Sequence, residues 1–385
     1  MTDLADMCYK YSVNVCRDYE RFLFSKKMKT FTFWRGMRKV KNRKGVSIVD
    51  VAREANVSAA TVSRVVNNID KVKPEVRQKV LDTIRDMGYS PNHAARALVK
   101  KKSNCIGIIV NNLHDPFFHD LIKGFEMSAQ QTSYAVMFCS VLGGDVASKE
   151  QYVRYLTNGV VDAVILYGSY LSDQSVIRYL KDIRDVDYVM IEDDVPELEC
   201  NKLLIDNFGG AKKAVEYLVK KGHRRIAHIC GSPNKKVTKE RMDGYQEAMR
   251  NAGLEISEGY VQYTSTDYRS GYACANALLD LQQPPTAVFC SDDAIASFAV
   301  RAALDRGLRV PEDISVMGFD NQTILPDHYR GPDITSVNQP LYKIGMDSVK
   351  LLSERLNSEE PMKPVRKVYQ TEIVEKETVS ECKVG

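Results

Sequence analysis

No stretch of about 18 uncharged apolar residues occurs in the sequence, so no membrane-spanning helix is expected. The N-terminus does not show the charged, apolar, small-residue order of a secretory signal. Asp3 and Asp6 come early, and Lys10, Arg17 and Arg21 break up the next stretch of chain. A cytoplasmic location is expected. The nine cysteines form no CxxC pair, and Cys105, Cys139, Cys230 and Cys290 sit in apolar runs. They read as small hydrophobes in a reduced compartment, not as disulfides or a zinc site. Neither GxSxG nor GxxxxGK[ST] occurs, and the six histidines form no triad or metal pattern. His114 and His119 have no acidic or cysteine partner at ligand spacing and read as surface-loop residues. Gly143-Gly144-Asp145 is a turn, not a phosphate loop. No enzyme, metal or cofactor is expected.

What is present is length and a lopsided charge. With 385 residues, two or three domains are expected. Residues 1–44 carry twelve Lys/Arg against four Asp/Glu, and residues 45–103 carry eleven against six. The remainder carries 31 against 40. A basic front on an acidic body suggests a front that meets polyanions.

From Val46 the texture becomes helical. Ile48, Val51, Ala52 and Ala55 recur at helical spacing. Asn56 tolerates the left-handed conformation that closes a helix, and Ser58 is a good N-cap for the next. That next helix is expected over Ala59–Asn67, with Val62, Val65 and Val66 inward. Two short helices on a tight turn make a helix-turn-helix. Pro74 and Glu75 open a third helix with Val76, Val80, Leu81 and Ile84 on its apolar face, and Gly88 stops it. Lys73 leaves that helix without a good cap. Asn92–Val99 fits a short helix, and Lys100–Ser103 an exposed link.

Beyond Asn104, buried-type strands alternate with helix-length segments. The strands are expected over Cys105–Val110, Tyr134–Cys139, Val161–Leu166 and Tyr188–Ile191. The pattern restarts with Ile226–Cys230, Thr286–Cys290 and Ile314–Gly318. Two rounds of β-α alternation imply two parallel-sheet lobes. Ligands in such folds sit at the carboxyl ends of strands, which selects Asn111–Phe118, Gly168–Tyr170 with Ser169, Ser291–Asp293 and Phe319–Asn321.

The segments VSIVDVAREANVSAATVSRVVNN, GYSPNHAARAL, DPFF, GHRRIAHICG, RMDGYQEAM, GLRVPEDISVMGFD and TSVNQP occur in that order. Together they resemble the lactose/galactose-repressor family of transcriptional regulators over residues 45–380. The resemblance implies a multidomain chain. An all-α helix-turn-helix DNA-binding head spans 45–90, and a hinge helix and linker 91–103. An α/β periplasmic-binding-protein-like effector domain of two parallel-sheet lobes spans 104–380, before a tail at 381–385. Residues 1–44 stand outside it: either they are a disordered basic arm, or translation starts at Met37.

In such a head the second helix enters the major groove. Ala59, Ala60 and Thr61 begin it, with Ser63, Arg64 and Asn67 further along. The two alanines can touch only thymine methyls; Arg64 either reads a guanine or holds a phosphate. Ser47, Thr61 and Asn67 are expected on phosphates. The resemblance makes Leu98 a minor-groove wedge, flanked by Asn92 and Arg96. It places Phe117 and Phe118 on a cleft wall and makes Arg241 and Asp320 a clamp on ligand hydroxyls. The other reading of Arg241 and Asp320 is that they pair with each other across the cleft, or with other groups, and never meet ligand. Asp292 and Asp293 add hydrogen bonds to ligand, or Asp293 caps a helix. The partners implied are pseudo-palindromic operator DNA, a second copy in a homodimer, and a small effector. The effector is a sugar or derivative, a purine, or a phosphoprotein co-regulator. A solute-binding protein is the rival, and the DNA head argues against it.

Overall fold

The computed structural model describes residues 46–66, 72–90, 102–141, 146–168, 174–182, 186–196, 198–264, 268–322 and 329–382. The chain separates into two compact units, which meet at Asn92 and His93 in the sequence.

The first unit is a helical head. Helix α1 (Ile48–Glu54) starts at Ser47, whose side chain accepts from the Asp50 N–H while Asp50 returns to the Ser47 backbone. It ends before Asn56, which takes the expected left-handed conformation at φ 52°. Helix α2 (Ala59–Val66) is capped by Ser58, which accepts from the Thr61 N–H at 3.1 Å. Helix α3 (Pro74–Asp86) opens on Pro74, and Lys73 supplies no side-chain cap. Val51, Ala52, Ala55, Val62, Val65 and Val80 form the core of the head, with Val76, Ile84 and Met87 packed against it. Leu81 was expected on this face but is 40% exposed. At about 100° per residue Val76, Val80 and Ile84 recur every four residues as a narrow stripe, and Leu81 lies about 60° beyond its Ile84 edge.

The second unit is two α/β lobes. In the first, strands β1 (Cys105–Val110), β2 (Ala135–Ser140), β3 (Ala163–Tyr167), β4 (Asp187–Ile191) and β5 (Asn201–Ile205) form a parallel sheet. Between them run helices α4 (His119–Thr132), α5 (Val146–Thr157) and α6 (Gln174–Asp182). Helix α7 (Asn207–Lys220) leads into the second lobe. There β6 (Ile226–Cys230), α8 (Lys236–Asn251), β7 (Val261–Tyr263), α9 (Tyr268–Leu279), β8 (Ala287–Cys290), α10 (Asp293–Asp305), β9 (Ser315–Asp320) and β10 (Thr335–Asn338) come in turn. Helix α11 (Leu341–Asn357) returns to pack on α4. Strand β11 (Arg366–Tyr369) then completes the first sheet beside β5, and β12 (Glu372–Val374) pairs antiparallel with β10 in the second.

The chain therefore passes between the lobes three times, near residues 206, 340 and 370. The strand orders are β11-β5-β4-β3-β1-β2 and β12-β10-β9-β8-β6-β7. Both sheets reverse direction of growth at their first strand, between β1 and β3 and between β6 and β8. All three passages leave from the carboxyl ends of parallel strands, so these ends of the two sheets face one another. Topological switch points at such edges are where open α/β sheets take ligands. Among the described residues no helix is long and apolar enough to cross a membrane.

Candidate functional site

In the head, α2 buries Val62 and Val65 and leaves Ala60 and Arg64 exposed one turn apart, with Ser63 half-buried beside them. These three share the outer face. Ala59 is drawn inward and packs on the core of the head. The Thr61 hydroxyl is hydrogen-bonded to that of Ser58 at 2.9 Å. The Ser47 hydroxyl accepts from the Asp50 N–H at 3.3 Å and donates to the Asp50 carboxylate at 2.6 Å. Ser47 and Thr61 thus both serve at the starts of helices. Asn67, Asn92, Arg96 and Leu98 lie outside the described residues.

In the second unit, a chain of polar contacts crosses between the lobes. Tyr167, the last residue of β3, donates to the Glu192 carboxylate just beyond β4. Glu192 also accepts from the Asn207 amide at 3.2 Å, at the first residue of α7. The Asn207 oxygen accepts from Arg241 Nε at 3.0 Å. The Arg241 guanidinium donates to the Ser291 carbonyl and pairs with Asp320 at 3.3 Å. It lies 3.7 Å above the Phe319 ring. Asp320 accepts from Gln339, just before the second passage. Glu192 and Asp320 hold positive φ angles of 66° and 102°. Such angles are uncommon outside glycine and collect at functional sites.

These groups are all buried, and burial dominates the acidity of the two carboxyls and the phenol. It pushes the Glu192 and Asp320 carboxyls above the usual carboxylate range, with Arg241 as the charge that opposes it in both. Burial also raises the Tyr167 phenol, and the Glu192 carboxylate raises it further. The charges of Asp320 and Arg241 reach Tyr167 from the other lobe. Buried side-chain atoms without a hydrogen-bond partner include Asn111 Oδ1 beyond β1, Ser291 Oγ beyond β8, and Gln339 Oε1. All three stand at carboxyl ends of strands, where a bound molecule would supply what is missing.

Other expected residues take different places. Arg241 and Asp320 do pair, but within the second lobe and not across the cleft. Phe118, expected on the cleft wall, belongs to the first lobe's core at 3% exposure and supports Tyr167 edge-to-face at 4.9 Å. Phe117 is only partly buried and touches both rings. Asp292 is the N-cap of α10, accepting from the Ile295 N–H at 2.7 Å. Asp293, the residue weighed for that cap, instead accepts from Ser336 Oγ at 2.6 Å and the Gln322 N–H at 2.7 Å. Its carboxyl is pushed up to about 7 by burial. Ser169 lies outside the described residues.

Sequence reasoning missed Glu192, Asn207 and Gln339. Glu192 comes directly after a strand that the apolar run Tyr188–Ile191 had already indicated. The rule of looking just past each strand reaches it. Asn207 and Gln339 sit at passages between lobes; Gln339 lies in the TSVNQP segment, but neither residue was assigned to the site from it or from any other segment.

Comparison with known proteins settles the family. Residues 47–92 match the domain described as bacterial regulatory proteins, lacI family, and residues 215–379 match the periplasmic binding protein-like domain. The transcriptional repressor CytR of Escherichia coli strain K12 is 34% identical over 327 residues, 84% of this chain and 93% of the relative. The chain belongs to the lacI family. Another lacI-family relative, the transcriptional regulator CelR of Thermobifida fusca, is 33% identical over 346 residues, 88% of this chain and 100% of that one. The lac repressor dimer bound to operator and the anti-inducer ONPF aligns at a TM-score of 0.77 and 26% identity, covering 87% of this chain and 99% of its own. A CelR–cellobiose complex aligns at 0.64 and 32%, covering 86% and 99%. This lacI-family chain is accordingly an effector-controlled, DNA-binding regulator of transcription and not an enzyme.

Proposed function

We propose that the outer face of α2 reads operator DNA and that the cleft between the lobes holds the effector that controls this reading. Two copies act together, because one head offers few base contacts and a symmetric dimer doubles them on a pseudo-palindromic site. The protein works in the cytoplasm, where its operator is. Ala60, Ser63 and Arg64 meet base edges and phosphates. The observation that carries the effector reading is the buried chain from Tyr167 through Glu192, Asn207, Arg241 and Asp320 to Gln339. It joins both lobes and two of the three passages, and it leaves polar atoms unpartnered. A molecule with several hydroxyls, a sugar or sugar derivative, pairs with those atoms and competes for the chain's own bonds. The two lobes then settle at a different angle, and the hinge segment Asn92–Val99 carries the change to the heads.

The test has two steps. A thermal-shift screen with sugars and nucleosides identifies a ligand for the full-length protein. Fluorescence anisotropy on an operator selected from random DNA then measures operator affinity with and without it. A change by a factor that corresponds to about 1–3 kcal/mol is expected. A ligand that raises the melting temperature but leaves operator affinity unmoved would refute the reading.

A further inference from the structure

The effector reading leaves the chemical class of the molecule open, and the charge pattern of the cleft narrows it. Proteins commonly take phosphates and carboxylates at helix N-termini, where free N–H groups and the helix dipole favour negative charge. Among the described residues, three such positions around this cleft are filled by the protein's own carboxylates. Asp115 accepts from the Phe117 N–H at 3.0 Å at the turn after β1. Asp206 accepts from the Gly209 N–H at 2.8 Å at the start of α7. Asp292 does the same at α10. Helix α8 begins without a side-chain cap, at Lys235 and Lys236. Lys236 is already paired with Glu240 at 3.6 Å, and Lys235 lies within electrostatic reach of Asp115.

A second, independent observation is the surplus of acceptors. The two Glu192 oxygens are held by a phenol and an amide, both neutral donors. Arg241 is divided among Asn207, Ser291 and Asp320. Gln339 Oε1, on a residue 4% exposed, has no donor, and the Ser291 hydroxyl, at 3% exposure, has no partner in either direction. The Gln339 amide nitrogen is bound to Asp320, which fixes its oxygen beside the same carboxylate.

We propose that the effector is an uncharged or positively charged molecule that presents hydroxyl or amino hydrogens to Glu192 in one lobe and to Asp320 and Gln339 in the other, and that Glu192 turns away phosphorylated and carboxylated molecules. The proposal rests on the cleft being the effector site. A hydroxyl or amine supplies the donors that the buried acceptors lack. A phosphate in the same place faces like charges in a medium of low dielectric.

The test uses the full-length protein and matched sets: glucose, glucosamine and glucose 6-phosphate; ribose and ribose 5-phosphate; adenosine and its 5′-phosphate; cellobiose and its 6-phosphate. Affinities are measured by calorimetry for every set in which a member raises the melting temperature. The neutral or amino member is expected to bind tighter than its phosphorylated partner by about tenfold or more, and Glu192→Gln to shrink that ratio by a similar factor. A ratio unmoved by Glu192→Gln overturns the role of Glu192. A phosphorylated member that binds tighter than its parent, with an affinity that changes in Asp320→Asn, overturns the chemical class but keeps the cleft as the site. A ligand bound equally by wild type and Asp320→Asn overturns the cleft reading itself.

Discussion

At the scale of single residues, Arg64 and His228 show how one side chain is committed by its surroundings. Arg64 is exposed on the outer face of α2, with Ala60 one turn before it. Replacing it with Ala is expected to weaken specific operator binding by about 1–3 kcal/mol and to relax preference at one position per half-site. An equal loss on all sequences would make Arg64 a phosphate contact. His228 is fully buried in β6, stacked on Phe289 with ring centroids 4.7 Å apart. Its Nδ1 lies 2.9 Å from the Phe289 carbonyl. A carbonyl only accepts, so Nδ1 carries a proton, and Nε2, buried without a partner, has no acceptor for a second one, which favours the neutral ring. Burial pushes its pKa down to about 4. The unfolded chain takes up that proton near 6.5, the folded one only near 4, so stability is lost as pH falls between these values. The loss attributable to His228 is roughly 2 kcal/mol by about pH 5. Urea unfolding at neutral and at mildly acidic pH of wild type and His228→Phe isolates it, because the raised carboxyls act in the opposite direction in both proteins. Equal pH slopes would show that His228 does not contribute.

At the scale of elements, the crossing of α4 and α11 holds the returning chain on the first lobe. A Cβ on Gly345 would stand 2.3 Å from the Leu121 carbonyl oxygen, and one on Gly124 would stand 2.2 Å from that of Tyr342. In an open helix Gly→Ala stabilises, since glycine costs roughly 0.5–1 kcal/mol there. At this crossing the sign reverses: Gly345→Ala is expected to destabilise by about 1–3 kcal/mol, because backbone cannot move aside as a side chain can. A midpoint of urea unfolding equal to or above that of wild type would contradict the close packing. The same elements show what a sequence discloses. Strands β1, β3, β6 and β8 are apolar runs buried on both faces, and such runs announce themselves. Strands β10 and β11 read TSVN and RKVY, and β7 and β12 have three residues each. They are strands because of the neighbours they pair with, which no local pattern encodes. Helix boundaries in the head were legible because Asn56 and Pro74 act through their own backbone and Ser58 through its own hydroxyl. Leu81 misled because apolar character alone does not fix the face.

At the scale of the whole molecule, three passages divide each lobe among distant parts of the chain, and the site forms where the passages leave the sheets. Arg241 and Asp320 were legible through motifs, but their partners Asn207 and Gln339 are contributed by topology. The polar chain from Tyr167 to Gln339 therefore acts as a unit. Asp320→Asn is expected to weaken effector binding by roughly tenfold or more, through loss of its ion pair and of an acceptor, while effector-free operator affinity stays nearly unchanged. The central claim is that effector and operator are linked through one protein. The most direct measurement is the pair of titrations that closes the cycle: operator affinity at zero and saturating effector, and effector affinity at zero and saturating operator. Both affinities are predicted to change, by the same factor and in the same direction. Effector affinity that is the same with and without operator, in a protein that binds both, would contradict it.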